Sequence, residues 1–493
     1  KMKKTTMILS VGLSALVGAS VIAGCGGPRK KATTDPFVDD FDASKEYTIN
    51  FFGWGDDQEQ DIYKRIIKDF EAQYPNVHVK YDATAAGEYL PALTGKIDSL
   101  PDVFYLPDTE FLQWADSGRL LNLLDAEGSL EDELSAIWEN AVNEYYYNPQ
   151  TYTLGKSEGA GLYALPKDQG PYTLGYNKTL MTERIAANHL QNDEEVRALL
   201  SGEPVSWAAF ISAMDKLLEG TADALYGIPY YELEHAVYSN NATFFDETVT
   251  TSTLTSPAFV DAVQFIGDLV THGIIKPQGL GAIGEGADAT FYAKKSLMTF
   301  VGPWDFATIW KNDTMNVDIL PVPYGPGPDR QYGTADDGKS TAFIGSMGYC
   351  IPEKTVERGT AGASLRLAKY LAMNESAQRK FYAYGQCIPN LKSMAEEYVT
   401  DSEHAFSELG HTDPENRKLF IDIVDGFKNA EDRIAGKTRI LYYTYNSDWR
   451  GNLEDTINLS GLYTGAKTAQ QVLEGYNATF QSELDLMNEL LKG

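Results

Sequence analysis

Cysteine is nearly absent, three in 493 residues, which excludes a disulfide-built scaffold and leaves no CxxC pair for zinc. Histidine is also scarce. His78, His189, His235, His272, His404 and His411 form no HxxxH or similar cluster, so neither a metal nor a cofactor is expected. Basic charge is in short supply: 41 Lys and Arg face 70 Asp and Glu, for a formal net charge of −29. Such a surface repels phosphate backbones, and nucleic acid is not expected as a partner. No internal repeat stands out. The glycine-rich GTADDGKST lacks the Gly-x4-Gly-Lys spacing of a phosphate-binding loop and reads as surface. No catalytic motif appears, so the chain is not expected to be an enzyme.

What is present begins with an unusual amino terminus. KMKKTTM carries positive charge, and MILSVGLSALVGASVIAG follows with no charged residue. That is the layout of an export signal. A transmembrane anchor would be marginal, because a bilayer span needs about 20 apolar residues. Ile22-Ala23-Gly24-Cys25 resembles the bacterial lipoprotein signal, cut before a cysteine that takes lipid. Residues 1–24 are therefore expected to be a signal peptide and Cys25 the lipidated hook, holding the protein to the outer face of the cell membrane. Lys1 in place of Met points to a fragment or a misread start and leaves this reading intact. Residues 25–45 carry two prolines, many charges and no apolar period, and are expected to be a flexible tether.

A chain of 493 residues is too long for one core, so more than one domain is the default. YTINFF reads as a strand. Tyr63, Ile66, Ile67, Phe70 and Tyr74 repeat at helical spacing until Pro75, and VHVKY alternates as a strand. Strand, helix, strand is a βαβ opening, which implies an α/β fold with mainly parallel sheets. The pattern recurs in VFYL, in EFLQWADSGRLL, and in strands near Leu174–Tyr176 and Leu297–Val301. A long amphipathic helix closes the chain, with Leu473, Tyr476, Phe480, Leu484, Met487 and Leu491 on one face.

FEAQYPNVHVKY, LPDVFYL, WADSGRLLNL, YALPKDQGPYTLGYNKTLM, EPVSWAAFISAMDKL, FYAKKSLMTFVGPWDF, FIGSMGYCIPEKT and YGQCIPNLKSMAEEY follow one another in an order that resembles the extracellular solute-binding proteins of ABC importers. The carbohydrate, maltose-binding-type branch is the most similar, and the likeness spans about residues 45 to 400. It implies a periplasmic-binding-protein-like fold: two α/β lobes with the ligand cleft between them. Laid on this sequence, lobe one is 46–167 plus 337–395 and lobe two is 168–336 plus 396–493. Crossings are expected near Pro166, Asp336 and Met394. The cleft location also follows from the habit of α/β sheets to place ligand loops beyond the carboxyl ends of strands.

A neutral sugar offers hydroxyls that give and accept hydrogen bonds, and two faintly apolar ring faces. Flat aromatics suit the faces, and Asp, Glu, Asn or Gln suit the hydroxyls. With 30 tyrosines in the chain, position discriminates better than residue type. Trp54 follows the first strand between two glycines, outside any periodic run, and is expected to contact ligand. Asp56 and Asp57 serve either as hydroxyl partners or as the cap of the next helix. Trp304, in VGPWDF, sits where the resemblance places a stacking tryptophan. Asp108 and Glu110 occupy the loop after PDVFYL, where Asp108 either binds ligand or caps a helix. Asp168 and Gln169 lie on the expected crossing and face the cleft in the family's geometry. Tyr231 and Glu232 fall where the family adds a second aromatic contact. Trp207, Asp102 and the Tyr145-Tyr146-Tyr147 run are expected to serve packing and turns. Cys350 and Cys387 form either a disulfide or two buried thiols.

The resemblance implies a monomeric, lipid-anchored subunit that hands a carbohydrate to ABC permease subunits. Two other readings stand beside it: the same fold carrying a peptide or polyamine, and a secreted glycosidase using two carboxylates.

Overall fold

The computed structural model describes residues 32–492 except 247, 249, 276–286, 306–308, 310–314, 341–343, 386 and 401–459. Cys25 and the signal stretch fall outside the described residues. Alternation in YTINFFGW builds β1 (Tyr47–Trp54). Asp56 then caps α1 (Asp57–Gln73) by accepting the Glu59 amide hydrogen. Ile62, Tyr63, Ile66, Ile67 and Phe70 bury one face of that helix. β2 (Val77–Thr84), α2 (Ala86–Thr94) and β3 (Val103–Pro107) follow. β1 lies parallel to both β2 and β3, as the βαβ reading requires. Asp102 fixes the turn before β3 through the Asn50 amide, 2.8 Å away.

Two further strands complete this sheet in the order β2-β1-β3-β8-β4, with β4 at Leu165–Pro171 and β8 at Ile344–Cys350. A second sheet has the order β7-β5-β6, from β5 (Thr173–Asn177), β6 (Met298–Val301) and β7 (Val317–Leu320). A small hairpin sheet centres on Tyr146–Asn148. Tyr145, Tyr146 and Tyr147 are buried there.

The α/β, two-sheet architecture matches the expectation, and in the first sheet every strand but β8 runs one way; "mainly parallel" needs correction for the second sheet. β8 is antiparallel to β3 and β4, and the second sheet is antiparallel throughout. The cause is direction of entry. β1, β3 and β4 all run toward one edge of their sheet. The chain leaves β4 at that edge, passes Tyr172, and enters the second sheet as β5. It returns as β8, whose first residue Ile344 pairs with Pro171 at the same edge. Strands that arrive from the other lobe therefore run against their neighbours. β6 and β7 end opposite Thr173 and Leu174, so the second sheet also points strand ends at the crossing.

The expected tether is corrected as well. From Ala32 onward the chain is a strap laid on the first lobe. Phe37 is buried and its amide donates to Leu124 O at 2.6 Å. Asp40 Oδ1 accepts the Gly362 amide hydrogen at 2.7 Å, capping α3 (Ala361–Met373), whose own N-cap residue Thr360 makes no side-chain capping bond and turns its hydroxyl to Asp102 instead. Phe41 stacks on Tyr47 with 5.2 Å between centroids, under the Arg366 guanidinium at 3.8 Å. Two phenylalanines and one aspartate do this docking without any apolar period, so composition hides it.

α4 (Ala469–Lys492) is the expected closing helix. Leu473 and Leu484 are buried, and it packs on the helix Pro257–Thr271 of the second lobe. Trp207 is the packing residue expected, stacked on Phe265 at 4.3 Å and 5°. Cys350 and Cys387 are buried free thiols.

Candidate functional site

Trp54 ends β1 at the edge facing the crossing. It is half-buried, edge-on to Tyr89 at 5.1 Å and to Tyr105 at 5.5 Å. The Tyr105 hydroxyl donates to Trp54 O at 2.9 Å, fixing the tryptophan backbone from below. Gly55 has φ +136°, and a Cβ there would fall 2.5 Å from Glu59 Oε2. Only glycine allows α1 to start so close behind Trp54.

Asp56 takes the capping role, and Asp57 is the exposed first residue of α1. Asp108 opens the helix Asp108–Asp116 directly after β3; its cap position is held by Pro107, so Asp108 is not the N-cap. Glu110 is half-buried in that first turn.

Beneath this rim lies a buried charge trio. Lys167 is 8% exposed. Its Nζ stands 2.7 Å from Asp168 Oδ2 and 3.6 Å from Glu59 Oε1. It also sits 5.3 Å from the centroid of the Tyr105 ring. Burial disfavours the ammonium, yet Asp168 and Glu59 outweigh it and hold the Lys167 pKa above the ordinary lysine value. Burial raises the Glu59 carboxyl, with Lys167 opposing. Asp168 Oδ1 accepts the Met347 amide hydrogen at 3.2 Å. Gln169 pairs through its backbone with Ser346.

On the second lobe, Trp304 lies in the short turn Pro303–Asp305 just after β6. It is half-buried and edge-on to Tyr172 at 5.0 Å and 83°. A Cβ on Gly302 would lie 2.4 Å from the Trp304 ring, so glycine lets the ring fold back. Asp305 Oδ2 accepts the Gly302 amide hydrogen at 2.8 Å and closes the turn. Tyr172 also meets His235 at 6.1 Å, and His235 stacks on Phe300 at 4.3 Å. Glu232 Oε2 stands 3.2 Å from His235 Nε2, with 28% of its side chain exposed.

The expected contact at Tyr231 is corrected. The ring is 1% exposed, edge-on to Phe265 and Phe300 at 5.2 and 5.1 Å. The chain turns this residue into the core and leaves Tyr230 half-buried beside it.

The crossing strand thus carries Asp168 and Tyr172, with Trp304 against one end and Lys167, Tyr105 and Trp54 linked ring to cation at the other. Glu59, Tyr105, Lys167 and Tyr172 were not singled out from sequence; the adjacent Lys-Asp pair on the expected crossing was the available signal. A hollow of about 620 Å³ opens elsewhere on the first lobe, lined by Asn50, Phe52, Lys80, Lys96 and Arg358 among others. None of the expected site residues lines it, and strand direction rather than this hollow defines the candidate site. Among the described residues no group of three His, Cys, Asp or Glu is placed to hold a metal, and no helix is long and apolar enough to cross a membrane.

The family model for bacterial extracellular solute-binding proteins matches residues 65–407. The chain belongs to that family. Membership places this solute-binding protein outside the cytoplasm. The multiple sugar-binding protein of Streptococcus mutans is 24% identical over 325 residues, 62% of this chain. The match spans 66%, just under two thirds, of that relative's length. An ABC substrate-binding protein of Listeria monocytogenes, solved with cycloalternan, superposes with a TM-score of 0.63 at 17% identity, covering 90% of this chain and all of that one. The sugar-binding protein MalE of Xanthomonas citri gives 0.63 at 16%, covering 90% and 99%. The GacH receptor of Streptomyces glaucescens, solved free and with acarbose, gives 0.61 at 18%, covering 89% and 99%. At such identities the likeness is one of fold, and the fold of this solute-binding protein is the two-lobed periplasmic-binding type.

Proposed function

We propose that this solute-binding protein captures a sugar or oligosaccharide between its lobes and presents it to ABC permease subunits, as a monomer held to the membrane by a lipidated Cys25. One observation carries the reading. Trp54 is the last residue of a strand in the first sheet and Trp304 follows the carboxyl end of a strand in the second, and both strands run toward the segment that carries Asp168 and Tyr172. Paired flat rings with a carboxylate between them suit a polyol with apolar faces. The ligands of two structures similar in fold, cycloalternan and acarbose, are carbohydrates.

In this reading the first crossing moves from 167/168 to Tyr172, between β4 and β5, so that lobe one is 46–171 plus 337–395 and lobe two 173–336 plus 396–493. Trp54, Trp304, Asp168, Gln169, Glu232, Glu110 and Asp108 contact ligand, Asp57 lies at the rim, and Asp56 serves the helix. Closure follows from the ligand's preference for the shut form.

Calorimetric titration against mono- and oligosaccharides, with a peptide and a polyamine in the panel, tests the cargo. Binding by an oligosaccharide supports the reading; silence from folded protein, or binding only by the polyamine or peptide, overturns it. Product formation from a labelled oligosaccharide would make the protein a glycosidase instead. Mass analysis of membrane-extracted protein tests the anchor, with Cys25→Ala expected to lose both lipid and membrane attachment.

A further inference from the structure

β4 carries a bulge. Met347 pairs with Asp168 and Gly348 with Pro166, so Lys167 is the extra residue. In a regular strand neighbouring side chains point to opposite faces. A bulge re-aims them, and here it brings adjacent Lys167 and Asp168 into contact at 2.7 Å. The Lys167 ammonium on Oδ2 and the Met347 amide on Oδ1 both hold the Asp168 carboxylate. With 18% of the side chain exposed, the carboxylate is held in place by groups on the protein side. The same ammonium reaches Glu59, which closes behind Gly55 and so behind Trp54.

We infer that Lys167 is a positioning residue for ligand recognition: it fixes Asp168 as an oriented acceptor and ties the Trp54–Glu59 loop to the crossing strand. The inference rests on the proposed function. It also names a specificity. A carboxylate whose donors come from the protein accepts from a ligand hydroxyl but does not donate to it. A sugar that presents a hydroxyl there is taken, and its deoxy or O-methyl counterpart is not.

Lys167→Met alone leaves two carboxylates close together in a buried site and risks misfolding. The test therefore uses Glu59→Gln as its background, so that the trio never holds an uncompensated pair. Affinity for the best sugar of the wild-type panel is measured by calorimetry for E59Q, E59Q/K167M, E59Q/D168N and the triple variant, each first shown folded by thermal melting. E59Q/K167M is expected to bind at least about tenfold more weakly than E59Q. Because Lys167 works through Asp168, the triple variant is expected to bind as E59Q/D168N does, within about twofold. A merely structural lysine would give losses that multiply. Overturning results are E59Q/K167M binding as tightly as E59Q, or multiplicative losses in the triple. If the wild type binds no sugar, the proposed function falls and takes this inference with it; if the wild type binds and the cycle fails, only the inference falls.

Discussion

Trp304 meets Tyr172 edge-on, 5.0 Å between centroids and 83° between planes. The tryptophan belongs to the turn after β6 and the tyrosine is the residue on which the chain changes sheets. Such a T-shaped contact buttresses the Trp304 ring from the segment between the sheets.

Replacement of Trp304 by alanine is expected to weaken sugar binding by about 2 kcal/mol or more, roughly thirtyfold in Kd. Titration calorimetry measures it. Trp207→Phe, which preserves a ring against Phe265 in the core, is expected to leave affinity unchanged. Equal losses from both would show that Trp304 acts through folding alone.

Gly55→Ala addresses the first lobe. Its φ of +136° is hostile to any side chain, and the added methyl would meet Glu59 at 2.5 Å. Strain of this kind costs about 1–3 kcal/mol. The expected result is a lower melting temperature, together with weaker binding because Trp54 is displaced. Gly87→Ala, where a Cβ meets nothing within 4 Å, is the matched control and is expected to melt as the wild type.

Much of this site was legible because breaks in pattern are local. Trp54 stands between two glycines after an alternating strand, and Trp304 follows a buried strand in the same way, so both were found where the sheets end. Tyr231 was misread because a turn can rotate a residue inward without changing the sequence around it. Lys167 was not singled out because its contact with Asp168 requires a bulge, which depends on the register against β8, where Met347 lies 179 residues after Asp168. The antiparallel strands were hidden for a related reason: direction depends on which lobe the chain comes from, and apolar alternation carries no direction.

The strap gives a stability prediction. Phe37 is buried against the first lobe, and a buried Phe→Ala change typically costs about 3–5 kcal/mol. Asp40 caps α3 from outside it, and loss of a cap costs about 1 kcal/mol. Phe37→Ala and Asp40→Ala are thus expected to lower the denaturation midpoint in that order, read by circular dichroism in urea. A free tether would show no change in either variant.

Asp125 sets how acid affects that same region, since it pairs with Phe37 through an isolated bridge. Burial pushes its carboxyl up, but the Leu130, Ser129 and Glu127 amides and the Ser129 hydroxyl outweigh this and lower it to about 2. A carboxyl whose folded pKa lies below its unfolded value near 3.9 binds more protons unfolded. Its contribution is therefore complete above about pH 4 and is lost as pH falls toward 2. Unfolding midpoints measured from pH 5 down to pH 2 are expected to drop more steeply for the wild type than for Asp125→Asn, which starts lower and has no proton to take up at this position. Parallel curves for the two proteins would show that the three amides hold the loop without drawing on the charge.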